Sequence, residues 1–187
     1  MKYKLDLDDE SPFEDWSFLL FHTTMPSYAL ADSLNRLYDY RLARIDNLQT
    51  TTAAWPLFTF EDTVSHLKYF LLERPAAATA WERGDMLLVV GGENASAETD
   101  AIYEDFTEPA EPDPTDLLAT EHAALLGELL AGFTMVSPID FTQSTSGKRR
   151  SATEQCCHEI VEGIEKRHLD MSADERRRLE ENIFLQN

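Results

Sequence analysis

The side chains best suited to acid–base chemistry stand in one short polar stretch that contains Glu61, Asp62 and His66. A carboxylate beside an imidazole can exchange a proton with a substrate, so these residues could in principle form a catalytic pair. The stretch lies between two apolar runs, however, and connectors between paired strands are polar because they face water. We therefore predict a solvated turn there. His22 and His122 have no partner that the sequence identifies, and we interpret both as structural or surface residues.

Candidate metal ligands lie near the C-terminus. They are Glu154, Cys156, Cys157, His158, Glu159 and His168. Helical ligands share a face when they are three or four residues apart, and neighbouring residues diverge by about 100°. Only Cys157 with Glu154, or Cys156 with Glu159, would face the same way, and no CxxC or HExxH motif occurs. We predict that both cysteines pack as small apolar side chains and bind no metal.

Two glycine-containing stretches invite comparison with phosphate-binding loops. Residues 146–150 read SGKRR, but a Walker loop requires a glycine where Thr142 stands. Gly91 and Gly92 follow an apolar run without a GxGxxG pattern, and we expect an acidic loop after them and no helix. That loop lacks the DxDxDG spacing of a calcium site. We therefore predict no cofactor.

The charge of the chain restricts its partners. Its 187 residues include 35 acidic and 16 basic side chains, which gives a net charge of −19. Such a field repels phosphate backbones and anionic membranes, so we expect neither nucleic acid nor a membrane as a partner. The first sixteen residues contain no apolar run of secretory length, and the two cysteines are adjacent, which disfavours a disulfide framework. We therefore expect a cytoplasmic protein.

The polar stretch is positioned by a predicted antiparallel hairpin. Two aromatic and branched runs, Trp55 to Phe60 and Leu67 to Leu72, flank it. Alternate side chains leave opposite faces of a strand, so Phe58 and Phe60 point one way and Leu57 points the other. Because both faces are apolar, the pattern predicts central strands that are covered on two sides.

The rest of the pattern predicts an α+β fold of order β-α-β-β-β-β-α-β, in which two helices pack on a mainly antiparallel sheet and a helical extension follows. We predict a core domain over residues 1–142, a linker over 143–150 and the extension over 151–187. Residues 93–116 are acidic, contain three prolines and lack Lys and Arg. We expect a mobile acidic loop there, which contacts the rest of the protein at most near its middle.

Two capping boxes, Ser151 with Glu154 and Ser172 with Glu175, predict the starts of two helices in the extension. Both helices carry partial apolar stripes among dense charge. Such stripes dock on the core, on each other or on another chain. Their members are Ile160, Val161 and Ile164 in the first helix, and Leu169, Met171, Leu179, Ile183 and Phe184 in the second.

The order of these motifs resembles a small bacterial family named for its IPExxxVDY signature. The resemblance rests on the acidic N-terminus and on the stretches SYALADSLNRLYDYRLARIDNL, WPLFTFEDTVSHLKYFLL and DMLLVV, and it extends loosely to Phe141. At the naming motif the chain has Ala78-Thr79-Ala80 and Gly84-Asp85-Met86, so that only Asp85 matches. The resemblance implies the fold above and a cytoplasmic bacterial setting, and it implies no active site.

No catalytic signature occurs in the sequence, and we predict no catalytic, cofactor-binding or metal-ligating residue. We expect a non-enzymatic interaction or regulatory protein, whose protein partner or second copy binds through the C-terminal helices or a sheet edge. The alternative is a small-ligand-binding protein or enzyme with a pocket between helix and sheet. A deep cavity lined by Asp62, His66 or Asp85 would favour that alternative.

Overall fold

A computed structural model describes residues 13–76, 78, 86–132, 134–139, 141 and 152–170. These residues form one antiparallel sheet with helices on both faces. The elements in chain order are β1 (Trp16–His22), α1 (Ser27–Tyr38), β2 (Ala43–Gln49), β3 (Ala54–Glu61), β4 (Lys68–Glu73), β5 (Met86–Gly91), α2 (Ala95–Thr107), α3 (Leu117–Ala131), β6 (Met135–Pro138) and α4 (Ala152–Asp170). The predicted α+β class and the predicted order of strands are confirmed, with one additional helix, α2.

The hairpin predicted at the centre of the sheet is present. β3 and β4 pair antiparallel with Phe60 opposite Tyr69 and Phe58 opposite Leu71. The sheet order is β2-β3-β4-β5-β1-β6, so both hairpin strands are internal. β5 is buried at every residue, as expected for an uninterrupted apolar strand covered on both faces.

Strand alternation divides the core into two layers, as the sequence predicts. Phe58, Tyr69 and Leu71 face the layer under α1, α2 and α3. Leu57 and Leu72 face the opposite layer, which is covered by α4. Burying apolar side chains on both faces is worth roughly 25 cal/mol per Å² removed from water, and this burial is what holds the helices on the sheet.

The expectation of a mobile loop over residues 93–116 is wrong for its first half, which forms α2. Ala95, Thr99, Ile102 and Phe106 recur at steps of three or four residues and are all buried against the sheet. The acidic side chains of the segment occupy the remaining faces of the helix. Because only one stripe of a helix needs to be apolar, high charge did not prevent this segment from packing.

α4 covers the second face of the sheet. Its apolar stripe, Cys157, Ile160, Val161 and Ile164, is buried against the strands. The first stripe predicted for the extension therefore docks on its own chain. The linker over 143–150 and the second predicted helix, with Met171, Leu179, Ile183 and Phe184, lie outside the described residues.

Both outer strands of the sheet carry features that oppose pairing with a further strand. β2 has a register shift between Ile45 and Leu48. Arg167 Nη1 of α4 donates to the carbonyl of Asp46 at this irregularity, at 3.1 Å, whereas Arg44 Nη1 bonds the carbonyls of Ile45 and of Leu57 on β3. At the other end, β6 spans only four residues and ends at a proline.

Candidate functional site

Polar groups converge between the helices and the sheet at Glu98 of α2. The Tyr69 hydroxyl donates to Glu98 Oε1 at 3.1 Å, and the Tyr40 hydroxyl donates to the same oxygen. The two tyrosine rings lie 4.3 Å apart between centroids, and Phe60 lies 5.6 Å from Tyr69. The carboxylate thus satisfies two buried hydroxyls at once.

A second carboxylate of α2, Asp105, joins three helices. The Tyr38 hydroxyl at the end of α1 donates to Asp105 Oδ2 at 3.1 Å. His122 of α3 has Nε2 3.4 Å from the same oxygen and Nδ1 3.1 Å from the carbonyl of Leu37. Tyr38 stacks on Tyr40 with centroids 5.4 Å apart, so the two carboxylate groups belong to one continuous cluster.

The tyrosines of this cluster are held in their neutral form. Burial, followed by the neighbouring Asp105, raises the pKa of Tyr38, and burial with Glu98 raises the pKa values of Tyr40 and Tyr69. A neutral tyrosine donates a hydrogen bond and does not act as a base near pH 7. The donors and acceptors of the cluster form hydrogen bonds with one another. The cluster therefore connects α1, α2 and α3 to the sheet.

The sequence analysis did not predict this cluster. The sequence pattern places Tyr69 in a strand and includes Glu98 and Asp105 in the loop expected over residues 93–116. A signal was present, since Ile102 and Phe106 extend a helical spacing that begins at Ala95 and would have placed both carboxylates beside the buried stripe. The partner of His122 could not be read from the sequence because it depends on how α2 and α3 pack together.

The hairpin connector forms a turn that satisfies its own polar groups. Asp62 accepts hydrogen bonds from Val64 N at 2.9 Å and from Ser65 Oγ at 2.6 Å. The Ser65 hydroxyl is the main cause of the lowered pKa of Asp62. His66 is exposed and has a positive φ of 58°. Asp62 and His66 therefore occupy an exposed turn, while Asp85 lies outside the described residues.

The two cysteines occupy different depths in α4. Cys157 is fully buried and Cys156 is half-buried. Burial, with a smaller contribution from Glu159, raises the pKa of Cys156 to about 12, and burial also raises the pKa of Cys157. Reactive and metal-binding cysteines require the thiolate, which this environment disfavours. No group of three His, Cys, Asp or Glu side chains within the described ranges is arranged to hold a metal ion.

The expectation that no helix follows Gly91 and Gly92 is wrong, because α2 begins three residues later. The reason for the glycines is packing. A Cβ at Gly91 would lie 2.6 Å from Trp16 Cζ3, and Gly92 has a φ of 132°. The sheet around them is antiparallel, unlike that of a dinucleotide-binding fold, and Glu93 and Glu98 lie near the start of α2, where they would repel a phosphate.

An open cleft of about 250 Å³ lies between the start of α1 and the neighbouring ends of β4 and β5. Ser27 Oγ donates to Glu73 Oε2 across it at 2.6 Å. Neither Asp62 nor His66 lines this cleft. Two of the residues that the enzyme alternative named therefore lie elsewhere, and the third, Asp85, lies outside the described residues.

Two adjacent large apolar side chains are exposed at the start of α3. Leu117 and Leu118 are 82% and 79% exposed, and we call this pair the Leu117–Leu118 patch. Asp116 Oδ1 caps the helix by accepting from Leu118 N at 3.0 Å and Ala119 N at 3.2 Å, which fixes both leucines on the first turn. Exposed carboxylates surround the patch in sequence. They are Glu108, Glu111, Asp113, Asp116 and Glu121.

Within the part of the chain that the structure describes, every helix is too short or too polar to cross a membrane. No protein-family model matches this chain, and a search of curated proteins finds no significant relative.

Proposed function

We propose that this chain is a non-enzymatic interaction module of the bacterial cytoplasm, and that its partner binds at the Leu117–Leu118 patch. The observation that carries the proposal is the exposure of two adjacent large leucines at a capped helix start. Single exposed apolar residues are common on protein surfaces, but clustered ones mark interaction sites because covering them releases ordered water.

The charge around the patch indicates the chemistry of the partner. No Lys or Arg occurs between Arg83 and Lys148, so α2, α3 and the segment joining them contain neither residue. A partner segment with apolar residues for the leucines and Arg or Lys for the carboxylates would complement this surface. Opposite charges at the rim of an interface mainly raise the association rate and select the partner.

Two other observations support an interaction role over a pocket-based activity. The polar side chains between the helices and the sheet, in particular Glu98 and Asp105, bind tyrosines of the same chain. The outer strands also have features that oppose the addition of a further strand, namely the register shift of β2 and the proline of β6. We therefore place the partner at the start of α3 and not at a sheet edge.

A capture experiment with matched variants tests the proposal. The full chain, the Leu117→Ser/Leu118→Ser variant and a Val64→Ser control would be used to capture proteins from a bacterial lysate. Val64 is 87% exposed at the hairpin tip, far along the chain from the patch, and serves as an equally apolar exposed position. We expect a protein that the wild type and the Val64 variant retain equally and that the patch variant loses.

The captured protein would then be purified and titrated with the wild-type chain at two salt concentrations. We expect binding that weakens as salt rises, because rim charges are screened beyond roughly 8–10 Å at 0.1–0.15 M salt. Equal binding by the wild type and the patch variant would contradict the proposal.

A further inference from the structure

His122 connects the first half of α3 to two other helices. Its Nδ1 lies 3.1 Å from the carbonyl oxygen of Leu37 in the last turn of α1, and its Nε2 lies 3.4 Å from Asp105 Oδ2 of α2. The ring also makes a T-shaped contact with Tyr38, with centroids 5.8 Å apart. Both ring nitrogens therefore face oxygen atoms of neighbouring helices.

These two oxygen atoms determine which protons the ring needs. A carbonyl oxygen only accepts hydrogen bonds, so Nδ1 carries the hydrogen that it donates to Leu37. In a neutral imidazole the other nitrogen has a lone pair, which at Nε2 would face the negative charge of Asp105. The opposite tautomer would turn a lone pair toward the Leu37 carbonyl instead. Only the doubly protonated, cationic ring makes both contacts favourable.

One proton therefore belongs to the pair formed by His122 and Asp105, and the imidazole is the group that holds it. A carboxylic acid gives up its proton more readily than an imidazolium ion does. The Tyr38 hydroxyl donates to Asp105 Oδ2 at 3.1 Å, so this oxygen already acts as an acceptor. The carbonyl of Leu37 adds the negative end of the α1 dipole, where a cation is stabilised.

The other charges close to these contacts in sequence are exposed and of both signs. At the positions three and four residues from His122, α3 carries only leucine and alanine. Because water and salt screen exposed charges, Asp105 is the carboxylate that decides the effect of protonation. The exposed charged residues are Arg36, Asp39 and Arg41 at the end of α1, Glu104 and Glu108 at the end of α2, and Glu121 in α3.

The first half of α3 depends on His122 because it has no buried side chain of its own. Residues 117–124 are all exposed or half-buried, and His122 is among them. The Leu117–Leu118 patch is one turn before His122, so the contacts of this histidine fix the position of the patch. The buried side chains of α3 are in its second half, and they are Leu125, Leu126 and Leu129.

We propose that protonated His122 holds the first half of α3 against α1 and α2, and that loss of this proton loosens it. Histidine changes charge between about pH 5 and 8, so the docked arrangement is favoured below this range and weakened above it. The consequence that partner binding at the Leu117–Leu118 patch weakens as pH rises rests on the proposed function. The loosening itself requires no partner.

Amide hydrogen exchange of the full chain at about pH 5.5 and about pH 8.5 tests the proposal. Asp105→Asn keeps an acceptor for Tyr38, removes the negative charge and leaves the sequence of α3 unchanged. The ratio of its exchange rates to those of the wild type at the same pH cancels the pH dependence of the exchange chemistry. Glu104→Gln is the matched control, because it removes the same charge from an exposed position one residue earlier.

We expect amides of residues 121–126 to exchange about threefold faster in Asp105→Asn than in the wild type at the lower pH, as for a partly exposed ion pair. At the higher pH this ratio should fall toward one, because a neutral ring gains nothing from the carboxylate. Glu104→Gln should match the wild type at both pH values. Burial raises the pKa of Tyr38, which stays neutral throughout, so its hydrogen bond contributes equally at both.

A ratio that is the same at both pH values, or larger at the higher one, would overturn the proposal. An equal pH-dependent change in the amides of β3 and β4 would also overturn it, because the whole fold and not the start of α3 would then respond. A pH-independent ratio together with capture that still requires the Leu117–Leu118 patch would leave the proposed function standing without this regulation.

His122→Gln provides a second test that does not alter Asp105. It removes the titrating ring, and amides of residues 124–126 are far enough from the substitution to keep their intrinsic exchange rates. They should exchange about threefold faster than in the wild type at the lower pH, and the difference should shrink at the higher pH. A difference that does not shrink would show that His122 acts only as a structural side chain, which would overturn the proposal.

Discussion

Tyr40 and Tyr69 share one hydrogen-bond acceptor, Glu98 Oε1, while their rings lie 4.3 Å apart. One residue comes from the connection after α1 and the other from β4, so the carboxylate of α2 fixes two separate parts of the chain. Both tyrosines are largely shielded from water, since Tyr40 is 7% exposed and Tyr69 is 2% exposed. Two tyrosine hydroxyls therefore depend on a single acidic side chain for their hydrogen-bond acceptor.

Replacing this carboxylate should destabilise the protein. Glu98→Ala leaves two buried hydroxyls without their acceptor, and each unsatisfied group costs about 1–3 kcal/mol. Glu104→Ala makes the same change at an exposed position of the same helix and should alter the free energy of unfolding by less than about 0.5 kcal/mol. Urea unfolding followed by circular dichroism measures both. A similar small effect for both variants would show that Glu98 is not a structural acceptor.

Alkaline pH should weaken the fold through the same tyrosines. Their pKa values are raised in the folded state, so the stabilisation they provide is complete below about pH 10, where unfolded tyrosine is neutral, and is lost as pH rises further. Once the unfolded tyrosines ionise, Tyr40 and Tyr69 should each lower the unfolding free energy by about 1.4 kcal/mol per pH unit. Unfolding curves between pH 8 and 11 check this, and Tyr40→Phe should make the decline shallower.

Two helical glycines should respond differently to alanine. A Cβ at Gly127 of α3 meets nothing within 4 Å, so Gly127→Ala should stabilise the protein by about 0.5–1 kcal/mol through lower unfolded-chain entropy. A Cβ at Gly163 of α4 would lie 3.3 Å from the Gln49 carbonyl oxygen, so Gly163→Ala should lose that gain and Gly163→Val should destabilise by about 1–3 kcal/mol. Melting temperatures of the three variants rank them. Equal gains at both glycines would mean that α4 is not seated on β2.

Gly91 should be intolerant of a side chain because of Trp16. The two residues face each other across β5 and β1, and a Cβ would lie 2.6 Å from the indole. We expect Gly91→Ala to cost about 1–3 kcal/mol, and the cost should fall when Trp16→Ala is added, since neighbouring substitutions couple. A double-mutant cycle by chemical unfolding measures the coupling. Additive effects would exclude the indole as the obstacle.

The cysteines should be unreactive in the native protein. Cys157 is inaccessible, and a pKa of about 12 leaves little thiolate at Cys156 near neutral pH. We expect both thiols to react with a chromogenic disulfide only after unfolding, with rates that denaturant increases together. Fast reaction of one thiol in the folded protein would contradict this environment.

The sequence predicted the sheet and most of its helices because the burial pattern is strong there. Phe58, Leu57 and their neighbours are apolar at successive positions, which indicates strands covered on both faces. α2 was missed because its buried positions include Ala95 and Thr99, which a hydropathy pattern does not distinguish from polar surface. The fold class follows from the pattern of apolar residues. α2 does not, because its burial depends on the tertiary contacts of small residues.

The Tyr–carboxylate cluster and the Leu117–Leu118 patch could not be predicted in the same way. Each hydrogen bond of the cluster joins residues far apart in sequence, such as Tyr38 and Asp105, and depends on helix packing that no local pattern specifies. The leucines of the patch satisfy a helical apolar pattern, and only the tertiary structure shows that α3 turns them toward solvent.

The two outer strands have a consequence for the behaviour of the protein in concentrated solution. β2 has a register shift where Arg167 bonds a main-chain carbonyl, and Pro138 deprives β6 of a donor. A fibril grows when each added molecule forms hydrogen bonds with free main-chain N–H and C=O groups of the molecule at the fibril end. Both outer strands of this sheet offer few such groups. The folded chain should therefore remain monodisperse at concentrations where an equally hydrophobic sheet with unprotected edge strands would form fibrils.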